Sequence, residues 1–95
     1  GRDQMERIVD IQLARFKKRV ERRGIAVDVT AAAKEFLVQV GWDPQYGARP
    51  LKRAIQRYVE DELARSILGG TVAQGDRVVI DRAGDALKFD KVDVN

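Results

Sequence analysis

Gly47-Ala48-Arg49-Pro50-Leu51-Lys52-Arg53 places a turn of small residues directly before a long apolar series, and the chain is organised around that junction. Pro50 fixes its own φ and lacks an N–H, so it fits a first helical turn. Leu51, Ala54, Ile55, Tyr58, Leu63 and Ile67 then carry the helix onward to about Leu68, where Gly69-Gly70 stops it. Arg49 stands where the helix macrodipole disfavours a cation by roughly 0.3–1 kcal/mol. Asp, Glu, Ser or Thr is the usual occupant. A broken local rule marks a functional candidate. Arg49 and the free N–H groups of the helix start suit an anion, and a phosphate matches the planar guanidinium fork. The competing reading pairs Arg49 with Asp43 or a loop carbonyl, and spacing alone leaves the two open.

Upstream of the junction, Asp43-Pro44 favours a turn, and Trp42 and Tyr46 are expected to brace the loop by packing, with their polar tips near the surface. Such a brace would hold Arg49 in a set position. Before the loop, Ala33, Phe36, Leu37 and Val40 recur at helical spacing over about three turns, with Thr30 as N-cap and Gly41 as the stop. Ile25-Ala26-Val27-Asp28-Val29 alternates and is rich in β-branched residues, so it reads as a short half-buried strand.

The first element runs from about Arg2 to Arg23 and ends at Gly24, a helix-terminating glycine. Met5, Val9, Leu13, Phe16 and Val20 fall on one narrow stripe, which is core. Ile8 and Ile11 fall off that stripe and give the helix a second apolar edge, with Gln12 on the shoulder between Ile8 and the core. Scattered surface isoleucines are the plain alternative, and an oligomer contact through Ile8 and Ile11 is a third. Arg15, Lys17, Lys18, Arg19, Arg22 and Arg23 follow on the same helix. They read either as a solvated face complementing the macrodipole or as a nucleic-acid-binding surface of a stand-alone basic module. Without interleaved aromatic residues the first reading is favoured, and nucleic acid is unlikely as a partner.

Downstream, Glu60-Asp61-Glu62 is no catalytic pair, because successive helical positions fan apart. Arg57 and Asp61 are spaced for an i,i+4 surface pair. Gly75-Asp76 turns the chain into Arg77–Asp81, and Gly84-Asp85 turns it into Ala86–Phe89, a hairpin burying Val78, Ile80, Leu87 and Phe89. A hairpin alone is marginal, so it recruits Ile25–Val29. The fold class is therefore α+β, three helices packed on a small three-stranded sheet in the order α-β-α-α-β-β. Residues 1–95 make one domain, with 91–95 as a frayed tail.

Composition narrows the chemistry. The 95 residues include no Cys and no His. Thiol chemistry, the usual structural zinc sites and imidazole bases are thereby excluded, and a reducing, cytoplasmic setting is expected. Eighteen basic and fifteen acidic residues leave a net charge of +3, an argument for solubility rather than for a polyanionic partner. No apolar run reaches the ~20 residues of a membrane span. A chain that opens directly on a helix suggests a domain taken from a larger protein.

The segment from Gly41 to Gln56 resembles the sensor-2 segment of Clp-type AAA+ ATPases, and the likeness extends from about Met5 to Ile80. It is most similar to the carboxy-terminal small (lid) domain of the second ATPase module in ClpB-like disaggregases, with ClpC-like unfoldases next. Trp42 departs from the tyrosine more usual in that slot. The resemblance implies that Arg49 serves as sensor 2, acting on the nucleotide of its own protomer. Gly47 and Ala48 would allow close backbone approach beside the adenine or ribose, and Ile8 and Gln12 would face the base. ATP or ADP with magnesium would be held mainly by a large domain outside this chain, and the isolated chain is expected to carry no cofactor, no metal and no ATPase activity of its own. No Gly-x-x-x-x-Gly-Lys-Ser/Thr loop is present in the sequence, nor an apolar strand ending in an Asp-Glu pair. The implied partners are the chain's own AAA+ large domain, the neighbouring protomer of a homohexamer and, through the whole machine, unfolded or aggregated proteins.

Overall fold

The computed structural model describes residues 2–92. Helix α1, Arg2–Glu21, forms on the expected stripe: Met5, Val9, Leu13, Phe16 and Val20 are all buried. It ends in a turn closed by Gly24, whose φ of 79° belongs to the left-handed region that glycine enters without strain. A second constraint acts there, since a Cβ on Gly24 would lie 2.6 Å from Gln74 Cγ.

Strand β1, Ala26–Val29, leads into α2, Ala31–Gly41. Thr30 caps α2, its hydroxyl accepting from the Ala33 N–H at 3.1 Å. Ala33, Phe36 and Leu37 are buried as expected, but Val38 completes the buried face while Val40 is only partly covered. The helix ends as expected at Gly41, although the φ of this glycine is not in the left-handed region. Its buried position explains the residue, because a Cβ there would meet Leu51 Cδ1 at 2.7 Å and Leu51 Cα at 2.9 Å. The glycine lets α2 sit directly on the start of the next helix.

That third helical rod is not uniform. Helix α3, Leu51–Ile55, passes through a π turn, Gln56–Glu60, into α4, Asp61–Leu68, and the junction residues all keep right-handed helical angles. The Asp61 N–H donates to the Gln56 carbonyl, an i→i+5 bond. The apolar pattern accounts for it. Leu51, Ile55, Val59 and Leu63 are all buried and recur in steps of four. Each such step drifts ~40° around a regular α-helix, so an extra residue in one turn returns the series to the core. Val59, fully buried, was absent from the sequence-based core series, and Tyr58 instead sits at the core margin, edge-on to Phe36 at 5.1 Å between ring centroids. The same turn undoes the expected Arg57–Asp61 pair, since i and i+4 no longer stack. Arg57 lies over the Tyr58 ring, and the neighbouring acids pair elsewhere, Glu60 with Arg19 and Glu62 with Arg65.

Strands β2, Arg77–Ala83, and β3, Ala86–Val92, form the hairpin around Gly84-Asp85. The sheet order is β1-β2-β3, with β1 parallel to β2 and β3 antiparallel to β2. A parallel neighbour requires a crossover, which α2 and the third rod supply. Val27, Val78 and Ile80 are buried against the helices, and Leu87 and Phe89 pack at the margin of the core. The architecture is the expected α+β arrangement of three helical segments on a three-stranded sheet. Fraying was expected from Lys91, but Lys91 and Val92 pair with Val78 and Arg77 in β3, which extends the hairpin past Phe89. Asp93 to Asn95 lie outside the described residues.

Candidate functional site

The turn that delivers Arg49 is built by its backbone. Asp43 and Gly47 exchange a pair of hydrogen bonds, Asp43 N–H to the Gly47 carbonyl at 2.8 Å and Gly47 N–H to the Asp43 carbonyl at 2.7 Å. Inside this small loop the Asp43 carboxylate accepts from the N–H groups of Gln45 and Tyr46, at 2.7 and 3.0 Å. Gly47 closes the loop with a φ of 63°, which only glycine adopts freely. Ala48 packs against the core, and Pro50 begins the helix as its N-cap, one position earlier than a first-turn residue.

Trp42 is 48% exposed and Tyr46 54% exposed, so neither aromatic is buried, but the Trp42 ring lies beside Gly47 and Tyr46 lies beneath the Arg49 guanidinium. Asp43 adds a brace that was not expected, because its carboxylate and its backbone together satisfy four polar contacts within five residues. The pairing of Arg49 with Asp43 is thereby excluded in this structure, and among the described residues Arg49 makes no ion pair. Its guanidinium lies over the Tyr46 ring, 5.6 Å from the centroid. That contact orients the planar group and leaves its edge N–H donors free.

The helix start offers less to an anion than its sequence suggests. Leu51 N–H already donates to the Ala48 carbonyl at 3.0 Å, and no side chain caps the helix. The helix start therefore adds few free N–H groups to those of the Arg49 guanidinium. Gly47, Ala48 and Arg49 share this one turn, whereas Ile8 and Gln12 lie one helical turn apart on α1. Helices α1 and α3 pack together, and no hydrogen bond or ion pair among the described residues joins Ile8 or Gln12 to the Arg49 turn. Ile8 is 36% and Ile11 47% exposed, so the second apolar edge of α1 is present as expected.

The basic run on α1 does not form a separate site. Arg19 bridges to Glu60 at 2.6 Å, tying α1 to the π turn, and Lys17 approaches Asp28 at 3.8 Å, where Arg77 also pairs. These pairs belong to the fold, and nothing in the structure supports the nucleic-acid reading. Among the described residues, no helix is long and apolar enough to cross a membrane.

Fold and turn together define a small α+β domain that presents Arg49, free of ion pairs among the described residues, on a loop that also carries the exposed aromatics Trp42 and Tyr46. The chain belongs to the family described as the C-terminal, D2-small domain, of ClpB protein, whose model matches residues 1–80. Curated relatives agree. "Chaperone protein ClpB" of Rhodopseudomonas palustris is 54% identical over 88 residues, covering 93% of this chain and 10% of the relative. "Chaperone protein ClpB2, chloroplastic" of Oryza sativa subsp. japonica is 50% identical over 80 residues, covering 84% and 8%. "Chaperone protein ClpB 1" of Synechocystis sp. is 44% identical over 90 residues, covering 95% and 10%. The chain spans about a tenth of the length of these relatives.

Proposed function

We propose that residues 1–95 act as the lid domain of an ATP-driven ClpB-type chaperone, and that Arg49 is the nucleotide sensor of its module. The observation that carries this reading is the state of Arg49: exposed, free of ion pairs among the described residues, and held on a loop built around Asp43. A preorganised guanidinium of that kind fits the charge of a nucleotide phosphate. ATP with its magnesium supplies the reacting phosphoryl group when held by a large domain, and this chain's part is to neutralise phosphate charge through Arg49. Gly47 and Ala48 keep the backbone beside it slim, and Ile8 with Gln12 offers an apolar and amide surface for the base.

The exposed apolar residues support a domain that packs on something larger. Trp42, Tyr46, Ile8 and Ile11 all present apolar surface on this small domain. We assign these surfaces to the large domain of the same protomer and to a neighbouring protomer in a hexamer. Lid position then follows nucleotide state, and unfolded or aggregated proteins are handled by the machine as a whole. The isolated chain is no ATPase in this reading. Its compartment follows that of the parent, cytoplasmic in the simplest case, although two relatives are named as chloroplastic.

The test is ATP affinity and turnover of the full-length parent with and without Arg49→Ala, at matched hexamer concentration. Loss of a preorganised donor is expected to cost about 2–4 kcal/mol of transition-state stabilisation, a fall of roughly thirtyfold to a thousandfold in turnover. Unchanged affinity and turnover would reduce Arg49 to a surface residue stacked on Tyr46.

A further inference from the structure

Strand β3 is an edge strand with an open side. It is seven residues long, contains no proline, and pairs with β2 in unbroken register from Ala86 to Val92. Among the described residues no hydrogen bond reaches its outer edge. Most of the devices that protect natural edges, a short strand, a bulge, a proline or a covering segment, are therefore missing from the described part of it. It also lies beyond residue 80, where the match to the family model ends.

The hairpin fixes which groups face outward. Gly84-Asp85 is a two-residue loop, with a positive φ at Gly84 only, so Ala83 and Ala86 flank a tight turn and form a hydrogen-bonded pair. Alternation along an antiparallel ladder then directs the N–H and C=O groups of Leu87, Phe89 and Lys91 away from β2. An incoming strand must bond to those three residues.

We propose that the occupant of this edge is a second copy of the same strand, paired antiparallel about Phe89 to give a continuous six-stranded sheet. The sequence Leu87-Lys88-Phe89-Asp90-Lys91 is self-complementary in charge when reversed on itself about Phe89. In that register Phe89 faces Phe89 of the other copy, and Leu87 faces Lys91, all through outward-pointing backbone groups. Lys88 faces Asp90 twice, at the closer, non-hydrogen-bonded positions where side chains interact most strongly. Within one chain Lys88 and Asp90 already share a face, 3.6 Å apart, so the pairing creates an alternating cluster of four charges. The neighbouring registers are penalised. A shift that centres the contact on Lys88 sets lysine against lysine, and one that centres it on Asp90 sets aspartate against aspartate. The contact is twofold, with the same patch on both copies, and so is distinct from the head-to-tail contacts that close a ring.

Sedimentation equilibrium of the 95-residue chain across a concentration series tests this directly. The unaltered chain is expected to show a monomer–dimer equilibrium. Lys88→Asp and Asp90→Lys each place like charges at both symmetric positions and should raise the dissociation constant roughly tenfold or more. The double variant Lys88→Asp/Asp90→Lys should restore dimerisation, and an equimolar mixture of the two single variants should form a heterodimer. Both side chains are exposed, so circular dichroism should show all variants folded. A chain that stays monomeric at every concentration overturns the proposal. A dimer whose dissociation constant is the same in all variants overturns it equally.

Discussion

Thr30 and Asp81 stand 51 residues apart in the chain and meet at 2.7 Å, the hydroxyl donating to Asp81 Oδ1 while it accepts the N-cap bond from Ala33. One side chain thus ties the start of α2 to the end of β2. The hydrogen bond from Thr30, aided by the Arg82 N–H and by the charge of Lys88, holds the Asp81 carboxyl below its ordinary value of 3.8. Asp76 is lowered too, first by the Ala73 N–H and then by Lys91. A carboxylate depressed in the folded state contributes stability that is present above 3.8 and is lost as pH falls through the folded value. Urea midpoints are therefore expected to hold steady from neutral pH down to about 4 and to fall below it. Asp81→Asn, which keeps an acceptor but cannot titrate, should flatten that fall. An unchanged acid limb in the variant would show that Asp81 is not linked to folding.

Gly41 predicts a packing penalty of a different kind. The position is buried in α2, and the contact of an added Cβ with Leu51 involves backbone as well as side chain. Gly41→Ala should therefore cost about 1–3 kcal/mol, against the usual gain of alanine over glycine inside a helix. Denaturant titration of Gly41→Ala alone, and of Gly41→Ala with Leu51→Ala, measures it. The second substitution removes the Cδ1 contact but leaves the Leu51 Cα at 2.9 Å, so the pair should be less destabilised than the sum of the two singles while keeping part of the penalty.

These two positions show why some features were legible in the sequence and others were not. Thr30 was readable as a cap because a hydroxyl before an apolar helix has one common use, and the stripe from Met5 to Val20 was readable because its period is that of a helix. Gly41 ends α2 on the same local logic. Its close approach to Leu51 is a further constraint that local pattern does not contain. The π turn was also encoded, in the four-residue steps from Leu51 to Leu63, yet a reading tuned to regular α-helix chose Tyr58 over Val59. The parallel pairing of β1 with β2 follows from the crossover and not from either strand alone. At the site, Gly47, Ala48 and Arg49 were found together because they are consecutive. Trp42 and Tyr46 line the loop as their size suggests, but the hydrogen bonds of the short Asp43 side chain are not visible in an apolar pattern.

Val59 gives the quantitative check on the π turn. It is fully buried within the irregular segment, so Val59→Ala should cost about 2–3 kcal/mol through lost burial and an unfilled cavity. Arg57→Ala, two residues away but exposed, should change stability by less than ~0.5 kcal/mol. Equal effects of the two would mean that the series Leu51, Ile55, Val59, Leu63 does not set the phase of the rod.

Asp43 separates positioning of Arg49 from its charge. The carboxylate holds the N–H groups of Gln45 and Tyr46, and Tyr46 in turn lies under the Arg49 guanidinium. Asp43→Ala removes both N–H contacts, and by analogy with a lost helix cap costs about 1 kcal/mol of stability. Asp43→Asn retains one acceptor oxygen and should lose less. If Arg49 meets a nucleotide phosphate only when its loop is set, the full-length parent carrying Asp43→Ala should lose ATP turnover while nucleotide-free folding and hexamer formation survive. Asp43→Asn should recover most of that turnover, and combining Asp43→Ala with Arg49→Ala should be little worse than Arg49→Ala alone, because both act through one group. Fully additive losses would place Asp43 on a separate path from Arg49. The pH dependence of turnover discriminates further: a positioning role leaves its profile unshifted in Asp43→Asn, since the hydrogen-bonding oxygen rather than the charge holds the loop.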